Sequence, residues 1–296
     1  MIQKWLSPPD PSTAHNIACD AHHSGTAAWF IEGAVYNEWK SKGSLLWLHG
    51  KREPINTICI AGADGFRFDS GIWEERTVVS GFSWFPLTYL ILVTSSSIIN
   101  DVEALCVTGL ASVAYYYCDY KESRKQDCRG LLSSLLIQLC SRSHRAYDIL
   151  SSLHGAHDNG LRQPSDGDLT RCLKNVLALH GQGRVYIIVD ALDECPDSSG
   201  FPKTAREKVL DLLGDLVDLN LPNLRIWVTS RPEIDIRIVL EPLTSHHISL
   251  HDQTGQRRDI SKYISDVVMA DRKMRRWRPE DKKLVIETLS AKADGM

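Results

Sequence analysis

The sequence predicts an α/β fold, in which a mostly parallel five-stranded sheet is flanked by helices, with helical extensions at both ends. Short runs of branched aliphatic residues alternate with longer segments of helical period, a pattern typical of parallel sheets. Two of these runs pass directly into clusters of polar and charged residues, as buried strands do at their carboxyl ends. With 296 residues, 43% hydrophobic and 24% charged, the chain is expected to form one large globular domain with appendages.

The predicted elements divide the chain into a lead-in (1–43), a core (44–250) and the start of a helical extension (251–296). The lead-in has a turn-rich segment, Ser7 to Thr13, and a helix over Thr26 to Lys40. Predicted core strands are Leu45 to His49, Ala111 to Tyr117, Val185 to Val189, Leu224 to Thr229 and His247 to Leu250. Predicted helices are Gln126 to Arg142, Asp166 to His180, Ala205 to Leu219, Asp259 to Ala270 and Pro279 to Ala291.

The segment RVYIIVDALDE, Arg184 to Glu194, carries the clearest functional pattern. Three carboxylates, Asp190, Asp193 and Glu194, follow a buried strand at the edge where open α/β sheets place ligands. In a Walker B element, one carboxylate holds Mg²⁺ through its water shell and a neighbour orients a water against a γ-phosphate. Asp190 is the predicted metal residue, and Asp193 and Glu194 are the predicted catalytic ones. An acidic turn after a strand is the alternative, and the second and third carboxylates favour the functional interpretation.

A second strand, in LRIWVTSRPEIDI, ends in Thr229, Ser230 and Arg231, and Pro232 then starts a helix. An arginine at such a strand end presents a fixed fork of donors that suits phosphate oxygens. Arg231 is therefore predicted to sense a γ-phosphate, although a surface arginine fits the isolated motif equally well.

In combination, these segments resemble the NACHT-type STAND NTPases of fungi, often described as nephrocystin 3-like at the N-terminus. The resemblance implies a nucleotide-dependent signalling switch of non-self recognition and programmed cell death, with Mg²⁺ and ATP or GTP as cofactors. It also implies assembly with other protein domains or with further copies of the chain, and a C-terminal lid and repeat array beyond the truncated extension. The matching segments are Trp5 to Trp39, Gly43 to Lys51, Tyr115 to Arg142, Val185 to Cys195, Leu224 to Glu233 and Trp277 to Met296.

The phosphate-binding loop that this family carries is missing. Such a loop reads G-x-x-x-x-G-K-[ST], because backbone N–H groups, the lysine and the hydroxyl together bind the phosphates and Mg²⁺. Only Gly50 and Lys51 remain as candidate nucleotide-binding residues, and no Gly-Lys-Ser or Gly-Lys-Thr occurs in the chain. An insert, 52–94, replaces the loop, and family-like sequence resumes near Ser96. ATPase or GTPase activity is therefore uncertain, and weak nucleotide binding is predicted.

Three explanations of the insert stay open. It is translated non-coding sequence, or the chain is a degenerate NTPase that keeps the fold without hydrolysis, or Thr77 to Asn100, which has no charged residue, enters a membrane. The last is disfavoured, because only Phe82 to Val93 is strongly apolar and that is too short to span a bilayer. For the chain as a whole, a non-catalytic scaffold or protein-interaction module on this fold is the alternative function.

Charge and cysteine content bear on two further points, nucleic-acid binding and the cellular compartment. A net charge of −3 argues against a general nucleic-acid binder, and the basic run Arg272 to Arg278 is better explained as a solvated helix connection. The eight cysteines include no C-x-x-C pair, which favours reduced thiols in a cytoplasmic protein.

Overall fold

The computed structural model describes residues 2–21, 27–50, 86–197, 203–249, 254–270, 272 and 274–293. All five predicted strands are confirmed, and several extend one residue beyond the predicted ends. The strands are β1 Leu45–His49, β2 Ala111–Tyr117, β3 Arg184–Asp190, β4 Leu224–Ser230 and β5 His246–Ser249. They form one parallel sheet in the order β2-β3-β4-β1-β5.

Helices surround the sheet and form both extensions, so the predicted fold class is confirmed. The helices are α1 Ile2–Leu6, α2 Ser12–Ala21, α3 Ala28–Ile31, α4 Ala34–Lys42, α5 Pro86–Val107, α6 Cys128–Ser141, α7 His144–Ala156, α8 Asp166–Leu177, α9 Ala205–Asp218, α10 Ile234–Leu243, α11 Thr254–Ala270 and α12 Pro279–Ala293. Capping boxes start two of them: Ser165 with Asp168 at α8, and Thr204 with Glu207 at α9.

The alternation of side chains along each strand creates two apolar layers. On β4, Ile226 and Val228 belong to one layer and Trp227 to the other. The first layer packs against α1, α6, α7, α8, α9 and α10, and the second against α3, α4 and α5. Because both faces are covered, every residue of β4 is buried, and the strand reads as a continuous apolar run.

The lead-in differs from the prediction in two ways. The single helix expected over Thr26 to Lys40 is wrong, because Gly33 adopts an extended conformation and separates α3 from α4. The sequence also did not reveal two helices around the turn-rich Ser7 to Thr13: α1 ends just before it, and α2 begins inside it at Ser12. One of them, α1, is too short to show a helical period, yet it buries Ile2, Trp5 and Leu6.

Helix α7, in the core, was also not predicted from the sequence. Ser143 caps it by accepting a hydrogen bond from the Ala146 N–H.

The described part of helix α5 starts at Pro86, inside the stretch predicted as the insert. Val93 and Thr94, also within the predicted insert, are fully buried. The final part of that stretch thus belongs to the core, and residues 51–85 lie outside the described ranges. No helix in the described part of the chain is long and apolar enough to cross a membrane.

Candidate functional site

The candidate site lies at the carboxyl edge of the sheet, where β3, β4 and β1 are neighbours. His49 at the end of β1 is paired in register with Ser230 at the end of β4, so Gly50 and Arg231 follow adjacent strand ends. Asp190 is the last residue of β3. The predicted convergence of these strand ends at one edge is confirmed. Lys51, the other predicted phosphate-binding residue, lies outside the described residues.

Asp190 is a buried carboxylate held by two hydroxyl groups. Its Oδ1 atom accepts hydrogen bonds from Ser95 on α5 and from Thr229 Oγ1, the latter at 2.8 Å. Thr229 Oγ1 also accepts from the backbone N–H of Ala191 at 2.8 Å. Burial raises the pKa of Asp190 to about 6, although both hydroxyl contacts favour the ionised form. The protein therefore keeps an acid here at a cost in desolvation.

Two tryptophans donate to hydroxyl groups near this edge of the sheet. The Trp227 indole N–H donates to Ser95 Oγ at 3.2 Å, and the Trp47 indole N–H donates to Ser230 Oγ at 2.9 Å. All four side chains are buried. Each indole thus satisfies its one polar atom, and together they fix the hydroxyls next to the strand ends.

The chain turns sharply after Asp190. Ala191 adopts the left-handed conformation, with φ of 56° and ψ of 47°, which is unusual for a residue with a Cβ atom. A 3₁₀ turn, Leu192–Glu194, follows, and the buried Leu192 anchors it in the core. This turn, which we call the acidic turn, directs its two carboxylates to different neighbours.

Asp193 faces the end of β4. Its Oδ1 atom accepts from the backbone N–H of Arg231 at 2.9 Å, and its Oδ2 atom lies 3.4 Å from the Arg231 Nε atom. The Arg231 side chain is 48% exposed, whereas that of Asp193 is 12% exposed. The predicted phosphate sensor and one predicted catalytic carboxylate therefore form an ion pair in this structure.

Glu194 faces the segment after β2. Its Oε2 atom accepts from the backbone N–H of Tyr120 at 3.1 Å. Burial raises its pKa to about 7, and the charges of Asp193 and Asp119 act in the same direction. A carboxyl group with this pKa exchanges a proton near neutral pH, which is the property of a general acid or base. Its role in this chain stays a prediction.

Arg206, at the start of α9, stabilises the acidic turn by hydrogen bonds to one of its backbone carbonyls and to the carbonyl that follows it. Its Nη2 atom donates to the Asp193 carbonyl at 2.7 Å, its Nε atom donates to the Cys195 carbonyl at 2.9 Å, and its Nη1 atom lies 3.2 Å from Asp235 on α10. Its side chain is only 6% exposed. Neither Arg206 nor Ser95 is marked by a motif; their contacts depend on segments brought together by folding.

The described residues do not form a complete metal centre. They contain no group of three or more His, Cys, Asp or Glu side chains arranged to hold an ion. Asp190 Oδ1 already accepts two hydrogen bonds, and Asp193 is paired with Arg231. The donor set fits, at most, a cation that reaches Asp190 through water, so direct protein ligation of Mg²⁺ is not supported by these residues.

The fold and site together define an α/β protein with an acidic turn at the carboxyl edge of a parallel sheet. Residues 92–231 match the family described as Nephrocystin 3, N-terminal. The matched segment contains the acidic turn and Arg231, and it leaves out β1, Gly50 and Lys51. It begins within α5, so family-like sequence resumes slightly earlier than residue 96.

A match among solved structures is the ORC2 protein of Aeropyrum pernix, described as ADPNP-ADP complexes. The two chains are 14% identical with a TM-score of 0.38, and the match covers 96% of this chain. The chain spans 59% of the length of that structure. No curated protein matches the sequence. The fold assignment rests on the sheet order and helices of the chain itself.

Proposed function

We propose that this chain is the nucleotide-dependent switch domain of a NACHT/STAND-type signalling protein, and that it binds nucleotide only weakly. One observation carries the proposal: the protein keeps the buried acid Asp190 at the carboxyl edge of the sheet, beside a half-exposed Arg231 at the next strand end. The family match across the same residues supports it. Weak binding follows from the missing lysine and hydroxyl, because a phosphate gains little over water without charge-assisted partners.

The roles assigned to individual residues belong to this proposal. Asp190 would contact Mg²⁺ through water, Arg231 would contact a phosphate, and Asp193 and Glu194 would order or activate water. Gly50 would leave room for a phosphate at the end of β1. Following the fungal relatives that the sequence resembles, the switch would act in the cytoplasm in non-self recognition or programmed cell death, through assembly with protein partners or its own copies.

Calorimetry with Mg·ATP and Mg·GTP on the full chain tests the proposal. We expect binding weaker than micromolar, further reduced by Asp190→Ala and by Arg231→Met. Arg237→Met is the matched control, because Arg237 is exposed on α10 and pairs with Glu241 away from the sheet edge. If binding is micromolar or tighter and Asp190→Ala abolishes it, the residues after Gly50 still bind phosphate.

A second candidate is a non-catalytic scaffold on the same fold. The ion pair between Asp193 and Arg231 favours it, because the charges at the sheet edge neutralise each other without a ligand. In that case, none of the three variants changes nucleotide binding, since there is none to measure. Self-association followed by sedimentation would then be independent of added nucleotide, whereas a switch changes its assembly when nucleotide is present.

We further propose that the insert, which follows Lys51 and ends before the family match begins at residue 92, derives from translated non-coding sequence. Sequencing the transcript tests this. If every copy of the message carries these codons, the scaffold becomes the leading interpretation of the chain.

A further inference from the structure

A cysteine and a histidine lie one turn apart on α2, away from the acidic turn. The Cys19 Sγ atom is 3.5 Å from His15 Nε2, and His15 Nδ1 is 3.2 Å from the hydroxyl of Tyr117 on β2. The Asn100 side-chain amide on α5 donates to the same sulfur at 3.7 Å. A nucleophile, a base within hydrogen-bonding reach, and a third group that orients the base are thus present together.

The surroundings of His15 suit it to act as a base. Burial lowers the pKa of His15, so its ring is neutral at pH 7. The titratable groups that face it are Cys19 on its own helix, Tyr115 and Tyr117 from β2, and Glu103 from α5. When Nδ1–H donates to the Tyr117 oxygen, the Nε2 lone pair is directed at the Cys19 thiol.

The sulfur of this group is also within reach of solvent. Among the described cysteines, Cys19 and Cys106 are partly exposed, and the other five are buried. Cys106 lies beside Arg142 and Glu103, and burial raises the pKa of its thiol. Both cysteines are partly exposed, so Cys106 serves as an internal control for access of the reagent, and the His15 variant tests the role of the base.

We propose that Cys19 is a nucleophilic thiol and a modification site for small disulfides of the glutathione type. His15 takes the thiol proton as the Cys19 sulfur attacks one sulfur of the disulfide. The S–S bond of the reagent breaks, a new S–S bond forms to Cys19, and the leaving thiolate takes up a proton. The Asn100 amide stabilises the negative charge on the attacking sulfur. The disulfide reagent is itself the oxidant, so no further oxidant is required.

The test treats the reduced, full-length chain with oxidised glutathione at pH 7.5 and follows adducts by intact mass and peptide mapping over time. We expect Cys19 to be modified first, about tenfold faster than Cys106, because a positioned base accelerates proton transfer at least that much. Cys19→Ser should remove the fast adduct, and Cys106→Ser should leave it unchanged. His15→Gln should slow the Cys19 reaction about tenfold and leave the Cys106 rate unchanged.

Asn100→Ala provides a second variant that keeps the buried histidine, since Asn100 is exposed. It should slow the Cys19 reaction about twofold to threefold, the loss of one weak donor to a charged sulfur. Equal rates at Cys19 and Cys106, or a first adduct at a cysteine other than Cys19, would overturn the proposal. A folded His15→Gln protein with an unchanged Cys19 rate would also overturn it.

Discussion

Replacing Asp190 with asparagine should stabilise the protein at high pH, although it removes the acid on which the proposed function depends. Burial raises the pKa of Asp190 from its ordinary value of 3.8 to about 6. The folded state therefore binds this proton more tightly than the unfolded chain does. The stability that this proton contributes is complete below about pH 4 and is lost as the pH rises through about 6.

The magnitude follows from the same difference in pKa. A tenfold change in proton affinity corresponds to ~1.4 kcal/mol, so full ionisation of Asp190 costs the folded state about 3 kcal/mol. Asparagine keeps an oxygen that can accept from Ser95 and Thr229 and carries no charge. Its new N–H group needs a partner, and leaving it without one costs about 1 to 3 kcal/mol, so we expect a net gain of up to about 2 kcal/mol at pH 8.

Urea unfolding of the wild type and the Asp190→Asn variant at pH 5 and pH 8 measures this effect. The advantage of the variant should be largest at pH 8 and should shrink towards pH 5, where the wild-type acid is protonated. Asp193→Asn is the matched control: its ion pair with Arg231 is partly exposed, so we expect a loss of up to about 1 kcal/mol and no gain. If Asp190→Asn is less stable than the wild type at both pH values, the reasoning from desolvation is refuted.

Three further variants test the contacts around the acidic turn, each by urea unfolding at pH 7.5. Thr229→Val should cost about 2 to 3 kcal/mol, because both Asp190 and the Ala191 N–H lose a buried partner. Thr229→Ser keeps the hydroxyl and should cost less. Equal losses for the two variants would contradict the role of the hydroxyl. Arg206→Met should cost about 3 kcal/mol, because two carbonyls and a carboxylate lose their donor. Lys208→Met, at an exposed position of the same helix, should be nearly neutral. A loss for Arg206→Met as small as that of the control would contradict the role given to Arg206. Ala191→Gly should stabilise by about 0.5 to 1 kcal/mol, since glycine adopts the left-handed conformation without strain, and a loss of stability would mean that the conformation is not strained.

The strands, and the acidic residue at the end of β3, could be predicted from the sequence because each depends on the residues of one short segment. The run Val185 to Val189 is apolar throughout because both faces of the sheet are covered, and that property is visible without any tertiary contact. The position of Asp190 at the strand end follows directly. Helix boundaries were less predictable, because a single glycine inside a segment of helical spacing does not always end a helix, whereas Gly33 here adopts an extended conformation and separates α3 from α4.

The arrangement of the site depended on contacts between distant segments. Ser95 and Asp190 are 95 residues apart, and Arg231 and Asp193 are 38 apart. Motif reasoning placed Asp193 and Glu194 together as candidates for one task. The left-handed Ala191 and the 3₁₀ turn separate them, so that one carboxylate faces β4 and the other faces the segment after β2.

The pairing of Arg231 with Asp193 does not by itself prevent nucleotide binding. A half-exposed ion pair contributes roughly 0 to 1 kcal/mol, so a multiply charged phosphate can displace the Asp193 carboxylate from the guanidinium at little cost. The backbone N–H of Arg231 would still donate to Asp193 and hold the acidic turn in place. Arg231 alone, however, supplies one charged contact where a phosphate-binding loop supplies a lysine, a hydroxyl and several N–H groups. The strength of nucleotide binding therefore depends on the residues after Gly50, and a chain that carries Gly-Lys-Ser at that position should bind nucleotide with the same acidic turn and the same arginine.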